Sequence, residues 1–516
     1  MKREYFNVDI MSASPEVTGS CLYVTVKLPS GNQHFIVDCG IFQETDYASL
    51  NSRFDFDPAN VDFVLLTHNH IDHTARLPFL VRMGFNSTIY TSEDTAILLP
   101  YALNDTASII QHKAKSNKKF LSAGREKELN SKKFEKHSNS RKKSRKIQRK
   151  SSLEEFEDKK AIYTYDSDDI DHTMSLVRTC IYGVRQKINE NISVTFFKNG
   201  HLIGASSILV QITCFGCDDI NLFFTGDYND KNMFFDVPNL PILVKSLPIN
   251  IICESTYGEI DSKDIHPCFE KNLLDFFQNP KNKTVICPVF SLGRAQEILK
   301  FLMEMQNKGE LTGIPIYLDG KLTQSYTRLF SAHLLSSIDC DKQEFLPKDL
   351  TYVHRDLRST LLENINQRKI IVSSSGMGSY GPAQSYLLAY LSIPSALIHF
   401  TGYAAEGTAS RALIESSDES IVTFDGILLP KRATIKSTAE FSAHAKADEL
   451  INFLNQFKNI KTILVTHGAK DVKNTFALRI AEETSSKNVG ILSRDFFFRI
   501  NSNGLVKTIS TKFKIF

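Results

Sequence analysis

Thr67-His68-Asn69-His70-Ile71-Asp72-His73 places three imidazoles and one carboxylate within six residues, directly after the apolar run from Val61 to Leu66. That run has the length and composition of a buried strand. The four polar side chains then fall on the turn at its C-terminal end, where neighbours can converge on more than one ion. Imidazole nitrogen and carboxylate oxygen together suit zinc at neutral pH. The competing reading is a polar loop that happens to be rich in histidine.

Working outward, five more apolar runs end in a residue that can bind metal or move a proton. They are His34-Phe35-Ile36-Val37-Asp38, Val194-Thr195-Phe196-Phe197 leading to Gly200-His201, Leu222-Phe223-Phe224-Thr225-Gly226-Asp227, Ile249-Asn250-Ile251-Ile252-Cys253-Glu254 and Thr462-Ile463-Leu464-Val465-Thr466-His467. Buried strands whose functional residues all leave from one end gather them along one sheet edge, the usual place for an active site in a layered α/β fold. One site fed by many strands is the expectation.

A chain of 516 residues, 42% hydrophobic and 23% charged, can build two or three domains with sizeable cores. No unbroken apolar stretch approaches the ~20 residues of a membrane span, and the start, Met1-Lys2-Arg3-Glu4-Tyr5-Phe6, lacks the apolar core of a signal peptide. A cytoplasmic protein is expected. The nine cysteines, scattered through apolar runs, fit reduced buried thiols better than a disulfide framework. Cys214-x-x-Cys217 supplies only half a zinc site, and Phe215-Gly216 between the two reads as a hairpin turn.

Net charge is only +3, but residues 111–150 hold 16 Lys or Arg against three acidic residues, so the remainder of the chain is acidic. Such a segment cannot bury enough apolar surface to fold alone. It reads as an insertion over about 111–160, after a helix near Ala96 to Gln111, and its charge suits non-specific attraction to phosphates. A plain solvated loop, or a contact with another acidic partner, is the alternative.

The set Asp38, His68-x-His70-x-Asp72-His73, His201 and Asp227 resembles the signature of the metallo-β-lactamase superfamily. Glu254-Ser255-Thr256-Tyr257-Gly258, Phe441-Ser442-Ala443-His444 and Val465-Thr466-His467-Gly468 are similar to motifs A, B and C of its β-CASP nucleases. The run Cys287 to Glu297, Ser374-Ser375-Gly376-Met377 and Gly402 to Thr408 resemble stretches of the β-CASP insert in the RNA-cleaving branch, which includes the nuclease of mRNA 3′-end processing and its bacterial relatives. The resemblance covers nearly the whole chain. It implies an α/β fold: an αββα sandwich formed by residues 1–258 and 435–516, with an inserted β-CASP α/β domain over about 259–434. Within the insert, Thr284-Val285-Ile286, Ile316-Tyr317-Leu318 and Lys369 to Val372 alternate with helical stretches such as Arg294 to Met305, which suggests a small parallel layer. Ser493 to Phe516 reads as strands.

The same resemblance implies the roles. Two Zn²⁺ per chain would be held by His68, His70 and His201 on one side and by Asp72, His73 and His467 on the other, with Asp227 bridging. Metals roughly 3.5–4 Å apart can share a hydroxide nucleophile and stabilise charge at phosphorus. Asp38, Asp72, Glu254 and His444 form the catalytic set: Asp38 orients a ligand histidine, with turn capping before Gly40 as its alternative. His444 is the general acid on the leaving 3′ oxygen, and Glu254 holds its ring. Ser374, Ser375 and Gly376 would present backbone N–H groups to a phosphate. Arg294 would help bind it, with a structural ion pair as the alternative.

The implied activity is zinc-dependent hydrolysis of single-stranded RNA, endonucleolytic, leaving 5′-phosphate and 3′-hydroxyl ends. A 5′-exoribonuclease, a DNA nuclease, a small-molecule hydrolase and a non-catalytic RNA-processing subunit are the other readings. His467 argues against the DNA enzyme, the insert against the small-molecule one, and the full ligand set against the subunit. The basic insertion 111–150 is a candidate RNA contact. No membrane partner is expected, and a homodimer is left open.

Overall fold

The computed structural model describes residues 6–111, 164–332, 344–402, 408–486 and 488–510, with 335, 336, 338 and 404 between them. Beyond Gln111, the expected basic insertion lies outside the described residues.

Two sheets pack face to face. The first has eight strands in the spatial order Gly504–Ser510, Phe496–Asn501, Asn7–Ser12, Leu22–Leu28, Gly31–Val37, Phe63–Leu65, Thr88–Ser92 and Val177–Cys180. It is antiparallel up to Gly31–Val37 and parallel beyond it. The second has seven, in the order Val489–Ile491, Ile460–Val465, Ile249–Cys253, Ile220–Phe224, Ser206–Ile212, Ile192–Lys198 and Gln186–Lys187.

Side-chain alternation explains why the parallel strands read as unbroken apolar runs. Phe35, Val37, Phe63 and Leu65 point between the sheets, against Ile208, Val210, Leu222, Phe224, Ile252 and Leu464. Their neighbours Ile36, Val64 and Ile89 point outward, under Leu80 of the helix Leu77–Arg82 and under Leu99 and Leu103 of the helical stretch 93–111. The second sheet is covered likewise: Phe223, Ile251 and Ile463 meet Leu450 and Phe453 of Ala447–Leu454, and Phe476 and Ile480 of Lys470–Glu483. The layering is helix, sheet, sheet, helix, as the sequence implied.

A third sheet lies between these segments in the chain. Its six strands, ordered Leu350–Tyr352, Ile316–Asp319, Lys369–Ser373, Thr284–Pro288, Ala396–Phe400 and Thr434–Ser437, are all parallel. Parallel pairing needs long crossovers, and the helices Arg294–Asn307, Lys321–Ser331, Arg355–Glu363 and Gly381–Tyr390 lie in them. The strand Thr434–Ser437 of this sheet spans the expected boundary at 434/435.

One apolar cluster crosses from the insert into the sandwich: Leu292, Leu299, Tyr326 and Phe330 pack with Leu98, Leu202, Phe234 and Phe235. Cys214 and Cys217 flank the expected turn, where Gly216 has φ +78° and Cys217 N–H donates to Cys214 O at 3.0 Å. No helix among the described residues is long and apolar enough to cross a membrane.

Candidate active site

The functional residues leave the C-terminal ends of adjacent strands. His68 and His70 follow Phe63–Leu65, and the short helix Ile71–Thr74 adds Asp72 and His73. His201 follows Ile192–Lys198, in a loop pinned by Asn199: its Oδ1 accepts from His201 N at 3.1 Å, and its Nδ2 donates to Asp227 O at 3.0 Å. Asp227 follows Ile220–Phe224 through Gly226 (φ +57°), where a Cβ would lie 2.9 Å from Ser206 O. Glu254 follows Ile249–Cys253, and His467, at φ +49°, follows Ile460–Val465.

These residues converge on the Asp227 carboxylate. Its Oδ2 lies 3.5 Å from His68 Nε2, 3.3 Å from His73 Nε2 and 3.5 Å from His201 Nε2, while Oδ1 is 3.3 Å from His467 Nε2. His70 Nδ1 approaches His68 Nε2 at 3.2 Å and His201 Nε2 at 3.1 Å. Two compact donor groups result, His68/His70/His201/Asp227 and Asp72/His73/His467, each with ligand atoms within 4.8 Å of one another. A third overlapping group joins Asp227 and His467 to His444.

The donor chemistry fits metal. Burial drives His68 and His201 well below the usual histidine range and His70 down to about 4, so their rings are neutral at pH 7 and their lone pairs face one another. Burial also pushes His73 down, but the Asp227 and Asp38 carboxylates override it and hold the ring well above its ordinary value. Asp227 is raised by burial yet held well below the usual carboxylate range by His467, His73 and His68. His73 donates from Nδ1 to Asp38 Oδ2 at 2.7 Å, which leaves Nε2 buried without a hydrogen-bond partner among the described residues and aimed at Asp227. A buried nitrogen in that state wants a cation.

The Asp38 carboxylate does not cap the turn before Gly40, whose amides Cys39 N and Gly40 N donate to His73 O and Ser20 O. It fixes the His73 ring, and its Oδ1 accepts from Thr67 N at 2.8 Å, tying the two strand ends together. Thr67 Oγ1 also donates to Asp38, a supporting contact the sequence reading did not assign. Beside the cluster, His444 Nδ1 donates to Glu254 at 2.9 Å, while its Nε2 lies 3.9 Å from Asp227 Oδ2. Glu254 is 1% exposed and fixed by Tyr228 N at 2.5 Å and Thr256 N at 3.3 Å. Burial lowers His444, but Glu254 and then Asp227 outweigh it, so its affinity for a proton is raised.

The expected substrate contacts are placed differently. Ser374 N–H donates to Asp319 O at 3.1 Å and Ser375 N–H to Tyr380 O at 3.4 Å, so these two amides are spent inside the fold rather than offered to a phosphate. Gly376 packs close to Phe290, where a Cβ would lie 3.0 Å from its backbone nitrogen. The loop still borders the cluster: burial and the nearby charges of Asp105 and Asp72 push the Tyr380 phenol up to about 12. Arg294 is 6% exposed, with Nε on Glu297 at 2.9 Å and Nη1 on Thr401 O. It forms the structural pair that was its alternative reading, although its charge still reaches Tyr257 and Lys446. Asn69, between two ligand histidines, donates to Tyr326 OH of the insert at 3.0 Å, a contact no local pattern could reveal.

An αββα sandwich that gathers five imidazoles and a shared carboxylate at its strand ends defines a metal-dependent hydrolase of the metallo-β-lactamase superfamily, whose family model matches residues 15–149. Models of the Beta-Casp domain and of the Zn-dependent metallo-hydrolase RNA specificity domain match residues 295–413 and 429–491. The chain belongs to the β-CASP family of that superfamily. It is 26% identical over 470 residues to a ribonuclease of Thermus thermophilus, covering 89% of this chain and 92% of the relative. An RNase J-like protein of Methanocaldococcus jannaschii is 26% identical over 473 residues, 88% of this chain and 91% of the relative. The endoribonuclease ysh1 of Schizosaccharomyces pombe is 24% identical over 494 residues, 93% of this chain and 56% of the relative.

Proposed function

We propose that this protein is a zinc-dependent ribonuclease that cuts single-stranded RNA internally, leaving 5′-phosphate and 3′-hydroxyl ends. The observation that carries the reading is the His444–Glu254 pair, 2.9 Å apart, with His444 Nε2 turned to the Asp227-centred donor cluster. Such a pair is a proton donor held beside a metal centre. His68, His70 and His201 would hold one zinc, Asp72, His73 and His467 the second, and Asp227 would lie between them.

Zinc, when bound, supplies Lewis acidity toward the phosphoryl oxygens and eases deprotonation of a water. The chain's own residues do the rest. Asp38 keeps the His73 ring in one tautomer by taking its Nδ1–H. Glu254, fixed by two backbone amides, keeps the His444 Nδ1–H directed away from the centre, so that the Nε2–H faces the leaving group. As water oxygen bonds to phosphorus and the bond to the 3′ oxygen breaks, His444 Nε2 gives its proton to that oxygen. No 2′-hydroxyl takes part. The Ser374 hydroxyl and the basic insertion 111–150 are candidate RNA contacts. The sandwich would comprise 1–258 and 435–516 and the insert about 259–434, in a cytoplasmic protein with a homodimer as an open assembly.

The test is cleavage of a 5′-labelled single-stranded RNA by zinc-loaded protein, beside DNA of the same sequence and an Asp72→Ala/His73→Ala control. Internal RNA fragments missing from the control are expected. Release of labelled mononucleotide would replace the endonuclease reading by a 5′-exonuclease, and equal cutting of DNA would overturn RNA selectivity. No cleavage with both zincs bound would overturn the ribonuclease reading.

A further inference from the structure

One buried charge beside the dyad has no part in the chemistry so far. Lys446 is 5% exposed and stands two residues after His444, at the start of the helix Ala447–Leu454. Its Nζ donates to the His444 carbonyl at 3.3 Å and lies 4.0 Å from the centre of the Tyr257 ring. Among the described residues, no carboxylate forms an ion pair with it. Burying an ammonium is costly and pushes it down to about 8, although the Glu449 and Glu254 carboxylates nearby act against that shift. Packing alone would be served better by an apolar side chain of the same length.

What the ammonium joins explains its presence. Tyr257 belongs to the segment that carries Glu254, three residues before it, and sets its ring against His444 with centroids 6.2 Å apart. His444 lies on a separate segment, its carbonyl also held by Ser442 Oγ at 3.2 Å. Lys446 therefore pins the backbone of the proton donor to the segment that orients its ring. We propose that Lys446 is a positioning residue, clamping the His444 loop onto the Glu254 segment so that the imidazole keeps its line to the leaving oxygen. The proposal rests on the ribonuclease reading.

The test compares wild type, Lys446→Met and Lys446→Arg on two RNAs, one with ordinary linkages and one with a single 3′-S-phosphorothiolate linkage. A thiolate leaves without a proton, so faults in proton delivery disappear on the second RNA whereas faults in metal binding or folding persist. Lys446→Met keeps the apolar stem; on ordinary RNA its kcat should fall about tenfold to a hundredfold with KM little changed, the range expected when a reacting group is displaced by about 1 Å. On the thio-linked RNA the loss should shrink to within about threefold. Lys446→Arg, which can still reach the carbonyl and the ring, should recover most of the rate.

Equal loss on both linkages would mean a merely structural role, and no loss on either would mean none; each overturns the proposal. A crystal structure of Lys446→Met gives a readout without turnover. The His444 ring should have left Glu254, and a ring still at its 2.9 Å contact would overturn the clamp. If wild type cuts neither RNA, the ribonuclease reading falls, and the ring position still decides whether Lys446 acts as the clamp.

Discussion

At the scale of single residues, the ribonuclease reading gives the holding of metal and the moving of a proton to different side chains: Asp227 would touch both functions, His444 only the second. His444→Ala should therefore lower cleavage by about 10²–10⁴-fold while bound zinc, counted by elemental analysis, stays unchanged; Asp227→Ala should lose both. The pH profile gives a signed test. Burial pulls His444 down, but the Glu254 carboxylate more than reverses this, so the acid form persists to higher pH than on a free imidazole and is lost as pH rises through the raised value. Glu254→Gln removes that negative charge. The alkaline limb of kcat should move to lower pH, with a larger loss at pH 8 than at pH 6; an unmoved limb would remove Glu254 from this role. The residues that gather at Asp227 were legible because they follow the ends of apolar runs. Lys446 was not, because nothing in Phe-Ser-Ala-His-Ala-Lys tells a buried ammonium from a solvated one.

At the scale of elements, the centre depends on how tightly one strand end meets the next. Gly40, just after Gly31–Val37, lies so close to the Asp72–His73 backbone that a Cβ would fall 1.5 Å from Asp72 O. Neither backbone can yield, since Cys39 N donates to His73 O at 2.7 Å and Ser20 N to Asp72 O at 2.9 Å. Gly40→Ala should destabilise the fold by about 1–3 kcal/mol and reduce zinc stoichiometry, read by thermal unfolding and metal analysis; full occupancy in a stable variant would refute it. The strands themselves were legible from runs such as Val61 to Leu66, whose interior, Phe63–Leu65, alternates between two buried faces. The amide donors of Ser374 and Ser375 were misjudged because a hydroxyl-rich turn looks the same whether its N–H groups face a ligand or its own fold. Arg294 and Glu297 were visible at i, i+3 spacing, but their 2.9 Å pairing in the interior needed the structure.

At the scale of the whole molecule, the insert and the sandwich share a core. Leu98, Leu202, Phe234 and Phe235 of the sandwich are buried against the insert's Leu292, Leu299 and Phe330, and Asn69, between His68 and His70, reaches Tyr326. None of this could be read from sequence, because the partners are far apart in the chain and each run looks complete by itself. Tyr326→Phe leaves the Asn69 amide buried and unpaired, which should cost about 1–3 kcal/mol while unfolding stays a single transition in urea. Two separate transitions would mean independent domains. Each of those large side chains is worth about 1.5–3 kcal/mol when kept from water, so swinging the insert away on a hinge would cost several times the energy of an ordinary loop motion. On the ribonuclease reading, RNA therefore meets a centre assembled in advance, and the rate of cutting should not wait on a closing motion of the insert.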